Sequence, residues 1–172
     1  VTYLSTIDDR FWSVLRTIAS NFEFIGITSI TPTFHILKKI CAEVRKENKR
    51  AKILVGGPHA TFLPEQTLTD ISEIDIIVRG EGDNILPQIL SKVSLDEIES
   101  ITYRGMNGAI KTNPLAPITH LKSFPSPSYE IMPKPLSKYS HNVLTQRGCK
   151  YTCSYCVKHY TRFRYNKIES SI

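Results

Sequence analysis

Four short runs of almost continuously apolar residues alternate along the chain with segments of helical periodicity. The runs are predicted to be buried strands, and they are VTYL (1–4), FEFIGIT (22–28), KILVG (52–56) and IDIIVRG (74–80). Continuous apolarity is expected of strands that helices cover on both faces, as in a parallel sheet. The alternation therefore predicts an α/β fold built on a doubly wound parallel sheet with right-handed crossovers.

The segments between the strands predict amphipathic helices over residues 7–20 and 33–49. Their apolar side chains recur every three or four residues and so share one face. These side chains are Phe11, Trp12, Leu15, Ile18 and Ala19 in the first helix and Phe34, Leu37, Ile40, Cys41 and Val44 in the second. Thr6 and Asp9 have the spacing of a capping box. Shorter helices are predicted at about 64–72 and 84–93.

The pattern changes after the fourth strand. The fragment ITYRGMNGAIKT (101–112) predicts a β-hairpin that turns at Asn107-Gly108. Six of the ten prolines lie between 113 and 136, which favours an extended linker. The fragment HNVLTQRGC then predicts a new strand. We therefore expect an α/β domain at 1–112, a linker at 113–140 and the start of a second domain at 141–172.

Small and polar residues follow three of the predicted strands. They form the loops Thr28-Ser29-Ile30-Thr31, Gly56-Gly57-Pro58-His59 and Gly80-Glu81-Gly82-Asp83. Ligands of open parallel sheets bind beyond the carboxyl ends of the strands, and glycine lets the backbone approach them closely. Together the loops predict a large, flat or nucleotide-like ligand, although each alone could be a plain chain reversal. A lone histidine such as His59 is more typical of a hydrogen-bonded loop residue than of a ligand, and the G-x-G-x-x-G dinucleotide pattern is absent.

The net charge of +6 is concentrated near the end of the sequence. Residues 1–133 carry 14 Lys and Arg against 15 Asp and Glu, whereas residues 134–172 carry 8 against 1. This basic tail is interpreted as a solvated surface, as a setting that favours thiolates, or as a surface facing nucleic acid. The sequence contains no apolar run that could span a bilayer and no secretory signal, so we expect a cytoplasmic protein without a membrane partner.

Three of the four cysteines lie in RGCKYTCSYC (147–156), with the spacing Cys149-x3-Cys153-x2-Cys156. In a reducing compartment such clustering favours metal binding, because one short loop can wrap a single metal centre. Three sulfurs would hold a 4Fe–4S cubane and leave one iron open to a substrate. The alternatives are a zinc site completed by His159 and unligated thiols. Cys41, on the apolar face of a helix, is interpreted as a core residue.

This cysteine spacing, with Tyr155 directly before Cys156 and Arg147-Gly148 upstream, resembles the signature of radical S-adenosylmethionine enzymes. The segments GITSITPT, GGPHATFLPE and DIIVRGEGD resemble the cobalamin-binding domain that precedes the catalytic barrel in one branch of that family. The resemblance covers nearly the whole chain. It implies a Rossmann-like or flavodoxin-like domain followed by the beginning of an incomplete barrel. It also implies that a first strand and helix and most of the barrel lie outside this sequence, so that the chain alone is inactive.

The resemblance also implies roles for particular residues. Cys149, Cys153 and Cys156 would ligate the 4Fe–4S cluster, S-adenosylmethionine would bind the open iron, and Tyr155 would lie near the adenine. Cobalamin would occupy a crevice lined by Ser29, Thr31, Gly56, Gly57, Gly80, Glu81 and Gly82. An electron donor such as flavodoxin or ferredoxin would reduce the cluster, and a 5′-deoxyadenosyl radical would then attack an unknown substrate. In the family, cobalamin can relay a methyl group, which implies a methyltransferase or another oxidoreductase reaction.

The sequence departs from the family pattern at three points. Lys150 stands where proline is common, and Thr152 stands where asparagine is common, but neither position supplies a metal ligand. The Asp-x-His-x-x-Gly motif is absent, so that motif would provide no axial histidine to cobalt. Two alternatives stay open at this point: a scaffold domain without cobalamin, and an RNA substrate for the basic tail. No interleaved aromatic and basic platform supports the RNA alternative.

Overall fold

The computed structural model of the protein describes residues 8–124, 146–157 and 163–165. The chain divides into a larger unit that ends at Ala116 and a smaller unit that begins at Pro117. Of the predicted elements, the strand VTYL and the zinc alternative's His159 lie outside the described residues. The predicted boundaries at 112 and 140 stay predictions.

The larger unit contains a five-stranded sheet with strands in sequence order. The strands are β1 (Phe24–Thr28), β2 (Lys52–Gly56), β3 (Ile76–Val78), β4 (Ile101–Arg104) and β5 (Ile110–Thr112). Strands β1, β2 and β3 are parallel, whereas β4 and β5 run antiparallel to their neighbours. The predicted hairpin is therefore confirmed, and through β4 it extends the main sheet directly beside β3.

Helices cover both faces of this sheet. Ile53 and Val55 of β2 pack with α1 (Asp9–Asn21), α2 (Phe34–Glu47), α3 (Pro58–Phe62) and α4 (Pro64–Asp70). Leu54, between them, packs with α5 (Ile85–Leu90) in a second cluster. Successive strand residues point to opposite faces, so a strand buried on both sides needs an apolar residue at every position. The predicted α/β architecture and the apolar faces of α1 and α2 are confirmed.

Local chemistry explains where the helices begin. The N-cap of α1 is Asp8, whose Oδ1 accepts a hydrogen bond of 2.9 Å from the Phe11 amide, so the predicted capping box from Thr6 is wrong. The sequence analysis missed α3, which starts at Pro58. Proline is favoured in the first turn because its missing N–H would have no partner there. Helices α4 and α5 are shorter than predicted.

Residues 113–116 remain bound to the larger unit. The Asn113 amide donates to the Ile101 carbonyl at 3.0 Å, and the Ser100 amide donates to the Pro114 carbonyl at 2.7 Å. The Ala116 amide donates to Ser100 Oγ at 2.7 Å. The first residues of the proline-rich segment therefore continue the edge of the sheet.

In the smaller unit, β6 (Gln146–Arg147) pairs antiparallel with β7 (Arg164–Tyr165). Arg164 is buried and donates to the Thr119 carbonyl, and the Arg147 guanidinium lies 4.7 Å from the centroid of the Phe124 ring. Two cations of the basic tail thus have intramolecular partners. Within the three described ranges, no helix combines the length and apolarity needed to cross a bilayer.

Arg45 connects the end of α2 to the turns that precede β2 and β3. Its guanidinium donates to the carbonyls of Lys49, Ala51 and Glu73 at 2.7–2.9 Å and to Asp75 Oδ2 at 2.8 Å. The same carboxylate oxygen of Asp75 accepts from the Ile53 amide at 2.9 Å. One side chain thereby holds the turn before β2 and the turn before β3, which fixes how these two strands start.

We expect Arg45→Ala to lower the free energy of unfolding by about 2–4 kcal/mol, because it removes this donor from the partly buried carbonyls of Ala51 and Glu73 and takes away one of the partners of the Asp75 carboxylate. Urea denaturation measures this loss. Arg16→Ala is the matched control, because Arg16 makes a single exposed ion pair with Glu43 at 2.5 Å. The control should lose far less, and equal losses for the two variants would contradict the role given to Arg45.

Cys41 differs chemically from the three clustered cysteines. It is fully buried in the core, as predicted, and burial raises its pKa to about 12. Cys149, Cys153 and Cys156 are exposed and form no disulfide. A thiol alkylates through its thiolate, so burial and the raised pKa keep Cys41 almost entirely protonated and shielded near neutral pH.

We therefore expect iodoacetamide at pH 8 to label the three clustered cysteines of the reduced chain within minutes and Cys41 only after denaturation. Peptide mass spectrometry assigns each label. A Cys41 that reacts as fast as the other three in the folded chain would contradict the packed core around α2.

Candidate functional site

The first two predicted loops, 28–31 and 56–59, are hydrogen-bonded to each other. Pairing of β1 with β2 brings Thr28 beside Gly56, and the Ser29 amide then donates to the Gly56 carbonyl at 2.9 Å. The His59 amide donates to the Ser29 carbonyl at 3.2 Å. The parallel ladder is thus continued past the ends of both strands. The structure brings Ser29, Gly56 and Gly57 together as predicted.

Gly57 is required by the contact between these loops. Its backbone φ is +90°, a region that side chains other than glycine rarely adopt. A Cβ atom at this position would lie 2.7 Å from both the Ser29 carbonyl oxygen and Thr28 Oγ1. The second loop can pack against the first only because residue 57 has no side chain, and this holds whatever ligand binds.

His59 connects the same two loops through its side chain. Its Nδ1 lies 3.0 Å from Thr31 Oγ1, and its ring lies 4.4 Å from the Phe34 ring between centroids. The residue is buried. His59 is hydrogen-bonded, as interpreted, but it lies in the first turn of α3 rather than in a loop.

The third loop, 80–83, is joined to the other two through α3. The Gly80 amide donates to Thr61 Oγ1 at 3.0 Å, and Thr61 lies two residues after His59. Gly80 has a φ of +75°, and a Cβ there would meet no other atom within 4 Å. The Gly82 carbonyl accepts from the amides of Ile85 and Leu86 and so starts α5. The three predicted loops are therefore connected to one another at the carboxyl ends of β1, β2 and β3, with open space beside Gly80. We call these connected loops the edge that faces a ligand.

Two observations at these loops are compatible with a bound group. Ser29 is 1% exposed, and its Oγ has no hydrogen-bond partner among the described residues. Buried hydroxyls without a partner are uncommon, because each loses the hydrogen bonds that water supplied. Open space beside Gly80, next to fixed backbone, suits a flat ligand that approaches closely.

Arg79, directly before the third loop, was missed by the sequence analysis. Its guanidinium donates to the carbonyls of Ile101 and Asn113, and burial lowers its pKa. Its amide donates to the Ser100 carbonyl at 2.8 Å. Arg79 thus fixes the base of the third loop to β4. Thr61 was missed as well, because its role depends on the unpredicted helix α3.

The cysteine loop is exposed to solvent. The Cys156 amide donates to the Cys153 carbonyl at 3.2 Å, and Gly148 before the loop has a φ of +83°. Tyr155 is 89% exposed. In the part of the chain that the structure describes, no group of three His, Cys, Asp or Glu side chains is arranged to hold a metal ion. Thiolates on a short loop are the ligands that iron–sulfur clusters use, so the chemistry of the three cysteines fits a cluster. Their geometry does not test it, and the assignment to Cys149, Cys153 and Cys156 stays a prediction.

Comparison with known proteins bears on both units. Residues 12–90 match the family model of the B12 binding domain. An uncharacterized methyltransferase of Pyrococcus horikoshii is 30% identical over 162 residues, which are 87% of this chain and 35% of that protein. The anaerobic magnesium-protoporphyrin IX monomethyl ester cyclase of Rubrivivax gelatinosus is 26% identical over 147 residues, which are 78% of this chain and 26% of that protein.

A solved structure is similar over nearly the whole chain. It is that of the cobalamin-dependent S-adenosylmethionine radical enzyme OxsB with aqua-cobalamin and S-adenosylmethionine bound, with a TM-score of 0.68 and 26% identity. The match covers 96% of this chain and 24% of that one, so the chain spans only about a third or a quarter of the length of these proteins. The resemblance seen in the sequence is confirmed: residues 12–90 match the B12-binding domain family, and nearly the whole chain is similar to one part of a cobalamin-dependent S-adenosylmethionine radical enzyme.

Proposed function

We propose that this chain is the cofactor-binding part of a radical S-adenosylmethionine enzyme that uses cobalamin, with methyl transfer as its reaction. The observation that carries the proposal is the connected edge of three loops beyond β1, β2 and β3, within the residues that match the B12-binding domain family. Ligands of such sheets bind at this edge. The alternative of an empty scaffold is less well supported, because a scaffold does not account for the match of residues 12–90 to the B12-binding domain family.

In the proposed enzyme the cofactors supply the chemistry: S-adenosylmethionine cleaved at a reduced 4Fe–4S cluster provides a radical, and cobalamin provides methyl transfer. The residues of this chain bind and orient these groups. The loops 28–31, 56–59 and 80–83 would receive cobalamin on fixed backbone. Cys149, Cys153 and Cys156 would hold the cluster, and Tyr155 would contact S-adenosylmethionine.

The choice of methyl transfer is supported by the name of the Pyrococcus relative. The cyclase of Rubrivivax is similar over most of the same chain. In this proposal the part of the chain shared with both relatives binds the cofactors, and other parts of the enzyme set the substrate and the reaction. An electron donor such as flavodoxin or ferredoxin belongs to the same proposal.

We expect the chain to retain hydroxocobalamin through gel filtration and Gly80→Ala to weaken that binding at least tenfold, because the added methyl group occupies the open space beside the third loop. Absorbance of the eluted protein measures the bound cofactor. Gly108→Ala is the matched control, because Gly108 has a φ of +79°, has open space around it and lies at the hairpin turn. Both variants carry a similar backbone strain of roughly 1–2 kcal/mol.

Only Gly80→Ala should lose cobalamin. If Gly80→Ala and Gly108→Ala weaken cobalamin binding equally, backbone strain alone explains the loss. A well-folded unaltered chain that retains no cobalamin would favour the scaffold alternative.

We expect anaerobic treatment with iron and sulfide to give a brown protein with broad visible absorbance. Cys149→Ala, Cys153→Ala and Cys156→Ala should each abolish most of that absorbance, because each removes one of three ligands. Cys41→Ala is the control, since its thiol is buried in the core, and it should keep the colour. Stoichiometric zinc in a colourless protein would instead support the zinc alternative.

A further inference from the structure

We propose that His59 is a positioning residue that fixes the first loop of the cobalamin crevice through Thr31 and does not coordinate cobalt. This inference rests on the proposed function, since it concerns the affinity of the same site for cobalamin. It starts from an unusual concentration of contacts: backbone and side chain of one residue both bind the neighbouring loop. The His59 amide donates to the Ser29 carbonyl at 3.2 Å, and its Nδ1 lies 3.0 Å from Thr31 Oγ1.

The surroundings of the ring leave its orientation little freedom. Phe34, at the start of α2, packs against it at 4.4 Å with an interplanar angle of 36°. The residue is 9% exposed, and Pro58 before it fixes the start of α3. A ring held on one side by Phe34 and at Nδ1 by Thr31 acts as a spacer between α3 and the first loop.

The first loop needs such a spacer. Beyond β1, its backbone is bound through Ser29 at one end, and at the other end residues Thr31–Thr33 form a short 3-10 helix before α2. The Thr31 contact fixes the second end against α3. Loops fixed before binding lose less conformational freedom when a ligand arrives, so the contact should raise affinity beyond what Thr31 contributes by lining the crevice.

The test separates the hydrogen bond from the ring. Thr31→Val removes the hydroxyl at nearly constant volume, Thr31→Ser keeps it, and His59→Phe keeps the ring but removes its nitrogens. Thr31→Val and His59→Phe should each weaken hydroxocobalamin binding about 3- to 10-fold, the range for one hydrogen bond. The double variant should be no weaker than either single one, because both remove the same contact. Thr31→Ser keeps the hydroxyl, and His59→Asn keeps a polar atom near the position of Nδ1. Both variants should therefore bind hydroxocobalamin more tightly than Thr31→Val and His59→Phe.

Two further readouts distinguish positioning from other roles. The visible spectrum of bound cobalamin should be the same with His59→Phe as with the unaltered chain, because imidazole is not a cobalt ligand. Amide hydrogen exchange of residues 28–33, measured without cofactor, should be faster in Thr31→Val and His59→Phe. Thr69→Val is the control, since its hydroxyl donates to the Glu65 carbonyl at 2.8 Å on the exposed face of α4, and it should change neither affinity nor exchange in the first loop.

Each other outcome overturns the inference in a recognisable way. A spectrum that changes on loss of the imidazole would make His59 a cobalt ligand. If Thr31→Val and His59→Phe lower the free energy of unfolding but leave the affinity for hydroxocobalamin unchanged, the contact stabilises the fold and does not position the loop for binding. An unaltered chain that is folded but binds no cobalamin would overturn the proposed function and this inference with it, whereas tight binding that is unchanged in both variants would overturn this inference alone.

Discussion

The close contact between Gly57 and the backbone of Ser29 constrains the whole edge of the sheet that faces a ligand. Parallel strands leave their carboxyl ends side by side, but the chain must then diverge into two separate helices. Here the divergence is delayed by one residue, because Gly57 adopts a φ of +90° and carries no Cβ that would collide with the first loop. The hydrogen bonds of Ser29 and His59 depend on that approach, and so does the position of α3, which supplies Thr61 to the third loop.

A residue other than glycine with a positive φ connects the third loop to the end of the larger unit. Ser100 has a φ of +60°, and such a conformation in a residue other than glycine persists only where the surroundings determine it strongly. Its carbonyl accepts from Arg79, its amide donates to Pro114, and its hydroxyl accepts from Ala116. One residue thus ties the base of the third loop to the segment that leads toward the cysteines. The position of the third loop therefore depends on residues well outside it.

The periodicity of the sequence predicted the elements that depend on burial. Strand β2 was predicted with its observed bounds, and the stripes of α1 and α2 were predicted correctly because the core selects apolar residues every three or four positions. Shorter elements depend on single contacts and were harder to predict. Helix α3 contains five residues and begins at a proline, and the cap of α1 depends on one hydrogen bond from the Phe11 amide to Asp8, where a capping box from Thr6 was predicted. The glycine loops could be predicted from composition, whereas the bonds from Thr31 to His59 and from Thr61 to Gly80 could not, because they join residues 28 and 19 positions apart.

The two candidate sites differ in how far the protein has arranged them, and the difference follows from the ligands proposed for them. Cobalamin would be held by many weak contacts, so its crevice must be ordered in advance for those contacts to exceed the entropy lost on binding. The crevice accordingly consists of backbone that is hydrogen-bonded between loops. A cluster forms strong bonds to thiolates, and metal binding can itself order the loop that supplies its ligands. An exposed cysteine loop is therefore compatible with a metal centre in a way that a similarly exposed and unordered cobalamin crevice would not be.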